Sequence, residues 1–143
     1  MILDQKEFVD VFAAAGVRGV RETQLMEAIA KQDASAVQSL LSAGADVNYR
    51  DEDGWNALGE AALSGNATLI RSVLAHGAEV NARYQKGWTA LMIAAYGNHA
   101  DAMRELLAAG ADRTLRSDDG STALYVALAA GSTDCVDLLG SRQ

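Results

Sequence analysis

Apolar positions recur along this chain at one fixed interval. Leu25, Leu58, Leu91 and Leu124 form a column with a step of 33 residues (58 − 25). Ala28, Ala61, Ala94 and Ala127 form a second, and Val37, Ile70, Met103 and Val136 a third. Leu40, Val73, Leu106 and Leu139 form a fourth. Within a unit, Leu91, Ala94 and Ala95 stand at i, i+3 and i+4, which is one face of a short helix. Met103, Leu106 and Leu107 repeat that spacing further on. The pattern predicts two short helices per unit. The first is alanine-rich, so that neighbouring units approach closely, and the second supplies larger aliphatic side chains.

Glycines punctuate the same period. Gly44, Gly77 and Gly110 follow the second helices and read as C-terminal caps. Gly65, Asn98 and Gly131 separate the two helices of a unit, where a tight turn calls for positive φ. Asp53-Gly54, Lys86-Gly87 and Asp119-Gly120 suit the tips of hairpins leading into the next unit. A period of this size marks a stacked repeat protein, in which small units build an extended surface that binds another macromolecule.

The strings DGWNALGEAALSGNATLIRSVLAHGAEVN, KGWTALMIAAYGNHADAMRELLAAGAD and DGSTALYVALAAGSTDCVDLLG resemble the ankyrin-repeat family. TQLMEAIAKQDASAVQSLLSAGADVN matches without its leading hairpin, so the resemblance covers residues 23–140. It implies an all-α repeat solenoid of stacked helix-turn-helix units joined by β-hairpin loops, with an N-terminal capping half-repeat and about four repeats in one domain. The expected divisions are 1–20 for the capping helix, 21–50, 51–83 and 84–116 for three repeats, and 117–143 for a C-terminal capping repeat. The family's Thr-Pro-Leu-His reads Asn56-Ala57-Leu58-Gly59, Thr89-Ala90-Leu91-Met92 and Thr122-Ala123-Leu124-Tyr125. Loss of that histidine predicts hairpins less rigid than the family pattern.

The ends need covers. Phe8, Val11, Phe12 and Ala15 are expected to face the first full unit. Asp134 and Asp137 are expected to make the final helix polar on its open side. Leu138 and Leu139, close to the C-terminus, suggest weak self-association of an otherwise monomeric protein.

Composition narrows the function classes. The net charge of −7 disfavours nucleic acid, which requires a basic footprint, and anionic membranes. No stretch reaches the roughly 18 apolar residues of a membrane span. Residues 1–15 carry Asp4, Lys6, Glu7 and Asp10, unlike a signal peptide's apolar core. The expected compartment is the cytoplasm, or the periplasm if a leader preceded Met1. A single cysteine, Cys135, excludes an internal disulfide and a paired-cysteine zinc site, and is expected to be a small buried hydrophobe.

No catalytic constellation is apparent. His76 and His99 fall at different repeat positions and read as structural or exposed, and Cys135 has no evident histidine partner. Asp51-Glu52-Asp53 lacks the spacing of a calcium loop and reads as a solvated hairpin tip. No catalytic, cofactor or metal residue is assigned, and the expectation is a non-enzyme.

The resemblance instead implies a protein partner held in a concave groove by hairpin tips and the exposed face of the first helices. By alignment the tip positions are Glu52 and Asp53, Gln85 and Lys86, and Asp118 and Asp119. The groove-facing helix positions are Leu63 and Ser64, Tyr96 and Gly97, and Ala129 and Ala130. Trp55 and Trp88, the only tryptophans, share one column beside Tyr96 and Leu63. They form either an interaction patch or packing between hairpins. Arg50, Arg83 and Arg116 share another column. It reads either as a basic ladder for partner carboxylates, with Arg83 the central contact, or as arginines paired with hairpin acids such as Asp51 or Asp118. Glu27 and Glu60 share a first-helix column and read as a solvated face. A small acidic repeat domain with nothing attached also fits a dedicated inhibitor, immunity or accessory protein of one enzyme or toxin. An enzyme using His99, Glu60 or the hairpin acids is the remote alternative.

Overall fold

The structure is a computed structural model and describes residues 19–140. Eight α-helices occur among the described residues: α1 (Val20–Ala30), α2 (Ala34–Ser42), α3 (Ala57–Ser64), α4 (Ala67–Ala75), α5 (Ala90–Tyr96), α6 (Ala100–Ala108), α7 (Ala123–Ala130) and α8 (Thr133–Gly140). They pair as helix-turn-helix units. The first helices α1, α3, α5 and α7 stack in one layer and the second helices α2, α4, α6 and α8 in another. The all-α repeat solenoid read from the columns is the observed architecture. The half-repeat expected from Phe8, Val11, Phe12 and Ala15 lies outside the described residues.

The core is built from the columns. Leu25, Leu58 and Leu91 are buried, as are Ala28, Ala61, Ala94 and Ala127. Leu69, Ile70, Val73, Met103 and Leu106 fill the second layer. Each fully buried leucine or isoleucine contributes roughly 2 kcal/mol. Five of the helices begin on side-chain caps. Asn56, Thr89 and Thr122 accept from the backbone N–H of Gly59, Met92 and Tyr125, so the oxygen that the family takes from threonine is kept at the start of α3, α5 and α7, whereas α1 begins at Gly19 without a side-chain cap. The turns between paired helices carry positive φ at Gln32, Gly65, Asn98 and Gly131. Gln32 joins that column although its side chain gave no sign of it.

Hairpins reduce to tight turns. Asp51, Tyr84 and Ser117 each donate a backbone N–H to the carbonyl four residues on, at Trp55, Trp88 and Ser121. Among the described residues there is no strand; one isolated antiparallel bridge joins Arg83 and Thr89.

The apolar end of the stack differs from the expectation. Leu139 is buried and Leu138 half-buried, while Tyr125 and Leu128 are 60% and 58% exposed. The repeat explains this. Tyr125 shares a column with Gly59 and Met92, and Leu128 with Ala62 and Ala95, all four buried beneath the following unit. On α7 no later unit covers them among the described residues. Cys135 is buried, with its Sγ 3.7 Å from the Ala94 carbonyl, and burial pushes the thiol pKa up.

Candidate functional site

Three positions of successive hairpins receive unlike residues, and this difference shapes the surface. Asp51 folds its Oδ1 onto the backbone N–H of Asp53 and Trp55, both at 2.9 Å, closing its turn from within. Ser117 does the same with Oγ, accepting from Ser121 N–H at 3.2 Å. Tyr84 occupies the equivalent place and cannot. Its ring turns inward and is only 7% exposed. Its hydroxyl donates to Asn56 Oδ1 at 2.6 Å, the same oxygen that caps α3. The Tyr84 hairpin closes as a short 3₁₀ turn, Gln85–Gly87, in which Lys86 takes φ 60° and Gly87 φ 73°.

Tyr84 fits because residue 59 is glycine. A Cβ there would stand 3.1 Å from Tyr84 Cζ and 3.3 Å from Trp55 Cδ2. The Trp55 and Tyr84 ring centroids are 4.8 Å apart. Trp55 Nε1 donates to Glu60 Oε1 at 3.0 Å, which fixes the indole and gives Glu60 a partner rather than a purely solvated role. On the other side Arg50 lays its guanidinium 5.4 Å from the Tyr84 ring centroid. Burial pushes the Tyr84 phenol up to about 12, against the opposing effects of the Arg50 charge and of hydrogen bonds with Asn56 and Gly59.

Between the hairpins at 51–55 and 84–88 these side chains leave an open cleft of about 490 Å³, lined by Asp51, Asp53, Trp55, Tyr84, Gln85, Lys86, Trp88 and Ile93. Trp88 meets Tyr96 edge-on at 6.0 Å between centroids. Both tryptophans are half-buried, so they pack between hairpins and also present a face. Tyr96 is 68% and Leu63 57% exposed, one residue per unit in a single column. Glu52, Asp53, Gln85, Lys86, Asp118 and Asp119 are exposed on the hairpin tips. Gln85 Nε2 reaches the Asp53 carbonyl at 3.4 Å, and Asp118 N–H donates to the Lys86 carbonyl at 2.9 Å. Asp119 is held below the usual carboxylate range by the Ser117 and Ser121 hydroxyls and the Ser121 N–H.

The arginine column needs correction. Arg50 Nη1 donates to the Gly54 carbonyl of its own turn at 2.7 Å and to the Arg83 carbonyl of the next hairpin at 2.9 Å. Arg83 Nη1 repeats this with Gly87 and Arg116, at 3.1 and 2.7 Å. Arg116 Nη1 donates to Gly120 at 3.1 Å. These arginines bind backbone carbonyls, not the acids of their hairpins. The step of 33 residues is that of a strut reaching from each turn to the next.

Sequence reasoning missed Tyr84, Ile93 and Asn56. The Asp-Tyr-Ser inequality at 51, 84 and 117 was the available signal. It also missed the Asn48 and Asn81 column. Asn48 bridges the Gly77 carbonyl and Glu79 N–H, at 2.9 and 3.0 Å, and Asn81 accepts from Asp112 N–H at 2.8 Å. His99 precedes α6, and its imidazole fills the space beside Gly65 and Gly97. His76 is exposed with Nδ1 2.9 Å from the Ser72 carbonyl. Among the described residues no group of histidine, cysteine or acidic side chains is arranged to hold a metal, and no helix is long and apolar enough to cross a membrane.

A family model described as ankyrin repeats (3 copies) matches the chain at residues 4–84, 25–117 and 60–142. The chain belongs to the ankyrin-repeat family. Ankyrin repeats are generally protein–protein interaction modules and are typically non-catalytic. A comparison with curated proteins finds no match for this one. The ankyrin scaffold explains the struts, caps and columns. The aromatic cleft is where this chain departs from its own repeat.

Proposed function

We propose that this ankyrin domain acts by binding a protein partner across the hairpin side of its first-helix layer. Trp55, Trp88, Tyr96 and Leu63 anchor the partner. Glu52, Asp53, Gln85, Lys86, Asp118 and Asp119 set its register from the tips. Arg83, whose Nη1 is engaged by carbonyls, contributes by spacing the hairpins. One observation carries the reading: two half-buried tryptophans flank a cleft, and Trp88 meets the exposed Tyr96 beyond it, in the same column as the exposed Leu63. A packed core has no use for side chains in that position, and such rigid amphipathic anchors dominate the energetics of interfaces.

The test compares partner capture by wild type, by the Trp55→Ala/Trp88→Ala double variant and by Arg71→Ala. Arg71 pairs with Glu105 across the second-helix layer and serves as the control surface. Circular dichroism checks that all three are folded. Capture lost only in the tryptophan variant supports the site. Equal capture by all three refutes it.

A further inference from the structure

Resting on that reading, we propose that the cleft between the hairpins at 51–55 and 84–88 receives an arginine side chain of the partner. The cluster already carries one guanidinium. Arg50 lies over one side of the Tyr84 ring, with its Nη1 turned to backbone carbonyls. The cleft is lined by the half-buried Trp55 and Trp88, with Ile93 beside them. Aromatic faces carry negative charge density and attract a cation within about 6 Å, and a planar guanidinium stacks on them. The apolar wall takes the methylene stem of an arginine while its charged head stays at the mouth.

The mouth is acidic. Asp51 and Asp53 line it, on a chain of net charge −7. Asp51 Oδ1 is occupied by two backbone N–H groups, so Asp53, exposed and lining the cleft, is the carboxylate that meets the incoming head. Glu60 holds the Trp55 indole in place and adds its own charge behind it. Lys86, also lining the cleft, is the opposing cation. It sits exposed on a flexible stem at the tip, where water screens it. A guanidinium is more weakly hydrated than an ammonium, so it loses less on entering.

The experiment uses the full chain and follows its two indole N–H resonances by NMR. Probes are end-blocked Gly-X-Gly peptides with X as arginine, citrulline, lysine or norleucine. The arginine peptide should shift both indoles saturably. Citrulline, its neutral isostere, should bind about tenfold more weakly. Trp88→Ala should abolish saturation at unchanged circular dichroism, and Asp53→Asn should weaken arginine binding several-fold. Norleucine binding as well as arginine would overturn the charge argument and leave the apolar docking site intact. Lysine binding as tightly would overturn the choice of guanidinium. No shift with any peptide would overturn the cleft as a side-chain pocket, and the capture experiment above would still decide the wider function on its own.

Discussion

Replacing Gly59 by alanine should destabilise this protein, against the helix scale. Gly59 lies in the first turn of α3 with no positive φ, so backbone strain does not require glycine there. Intrinsic propensity favours alanine by up to about 1 kcal/mol. The added Cβ, however, would meet Tyr84 Cζ at 3.1 Å, Tyr84 Cε1 at 3.2 Å and Trp55 Cδ2 at 3.3 Å. None of these atoms can retreat easily. The Tyr84 hydroxyl is anchored on Asn56, Arg50 lies against the ring, and Trp55 is tied to Glu60. Overpacking a fixed core side chain costs about 1–3 kcal/mol. The sum is a loss of about 1 kcal/mol, or roughly 3 °C in Tm for a chain of this size. The Tyr84→Leu background removes the two nearer contacts and opens space into which Trp55, packed on Tyr84, can shift. There Gly59→Ala should instead gain about 0.5–1 kcal/mol, giving a coupling of about 2 kcal/mol. Urea denaturation of the four proteins, followed by circular dichroism and tryptophan fluorescence, measures both numbers. A stabilised Gly59→Ala single variant, or a coupling near zero, would refute the claim that this glycine exists to admit Tyr84.

Other outcomes follow from the same geometry. Burial raises the folded pKa of Tyr84 to about 12, above the ordinary value of 10.0, so the neutral phenol favours the folded state. That contribution is complete below pH 10 and is lost as pH rises through the folded value, a loss of order 3 kcal/mol. Alkaline unfolding curves should show it in wild type and not in Tyr84→Phe. Arg83→Lys should lower stability by about 1 kcal/mol in thermal melts, because an ammonium does not reproduce a guanidinium shared between two carbonyls in adjacent hairpins. Gln32→Gly should raise stability by about 1 kcal/mol, since Gln32 holds φ 56° where two other units place glycine. Cys135 should react with a thiol reagent only at the rate of unfolding, and a fast reaction in native buffer would contradict its burial.

The solenoid was legible because each unit repeats its own evidence. Leu58 alone says little; Leu25, Leu58, Leu91 and Leu124 in register define a column that is buried in three units and partly buried in the last. Gly44, Gly77 and Gly110 share a φ between 93° and 94°, so one backbone rule is met three times. The arginine column was visible but misassigned. Charge chemistry on paper pairs Arg50 with Asp51, whereas the stack places the carbonyl of Arg83 nearer its reach than any carboxylate of its own turn. Backbone acceptors are invisible in a sequence, because every residue carries one. The end surface was misplaced for a related reason. Leu138 and Leu139 stand near the terminus in sequence, but exposure follows the stacking direction, which leaves Tyr125 and Leu128 uncovered.

The cleft was illegible from columns alone because it is made by departures from them. A repeat averages its positions, and at 51, 84 and 117 the average of Asp, Tyr and Ser has no meaning. The departures are nevertheless coupled. Tyr84 abandons the turn closure kept by Asp51 and Ser117, and Gly59 abandons the bulk kept by Met92 and Tyr125. The two lie in different units, 25 residues apart (84 − 59), and meet only in the stack. Either change alone is unfavourable: a glycine without the ring leaves a gap, and the ring without the glycine has no room. On the proposed reading, a paired exception of this kind serves the surface it creates between Trp55 and Trp88.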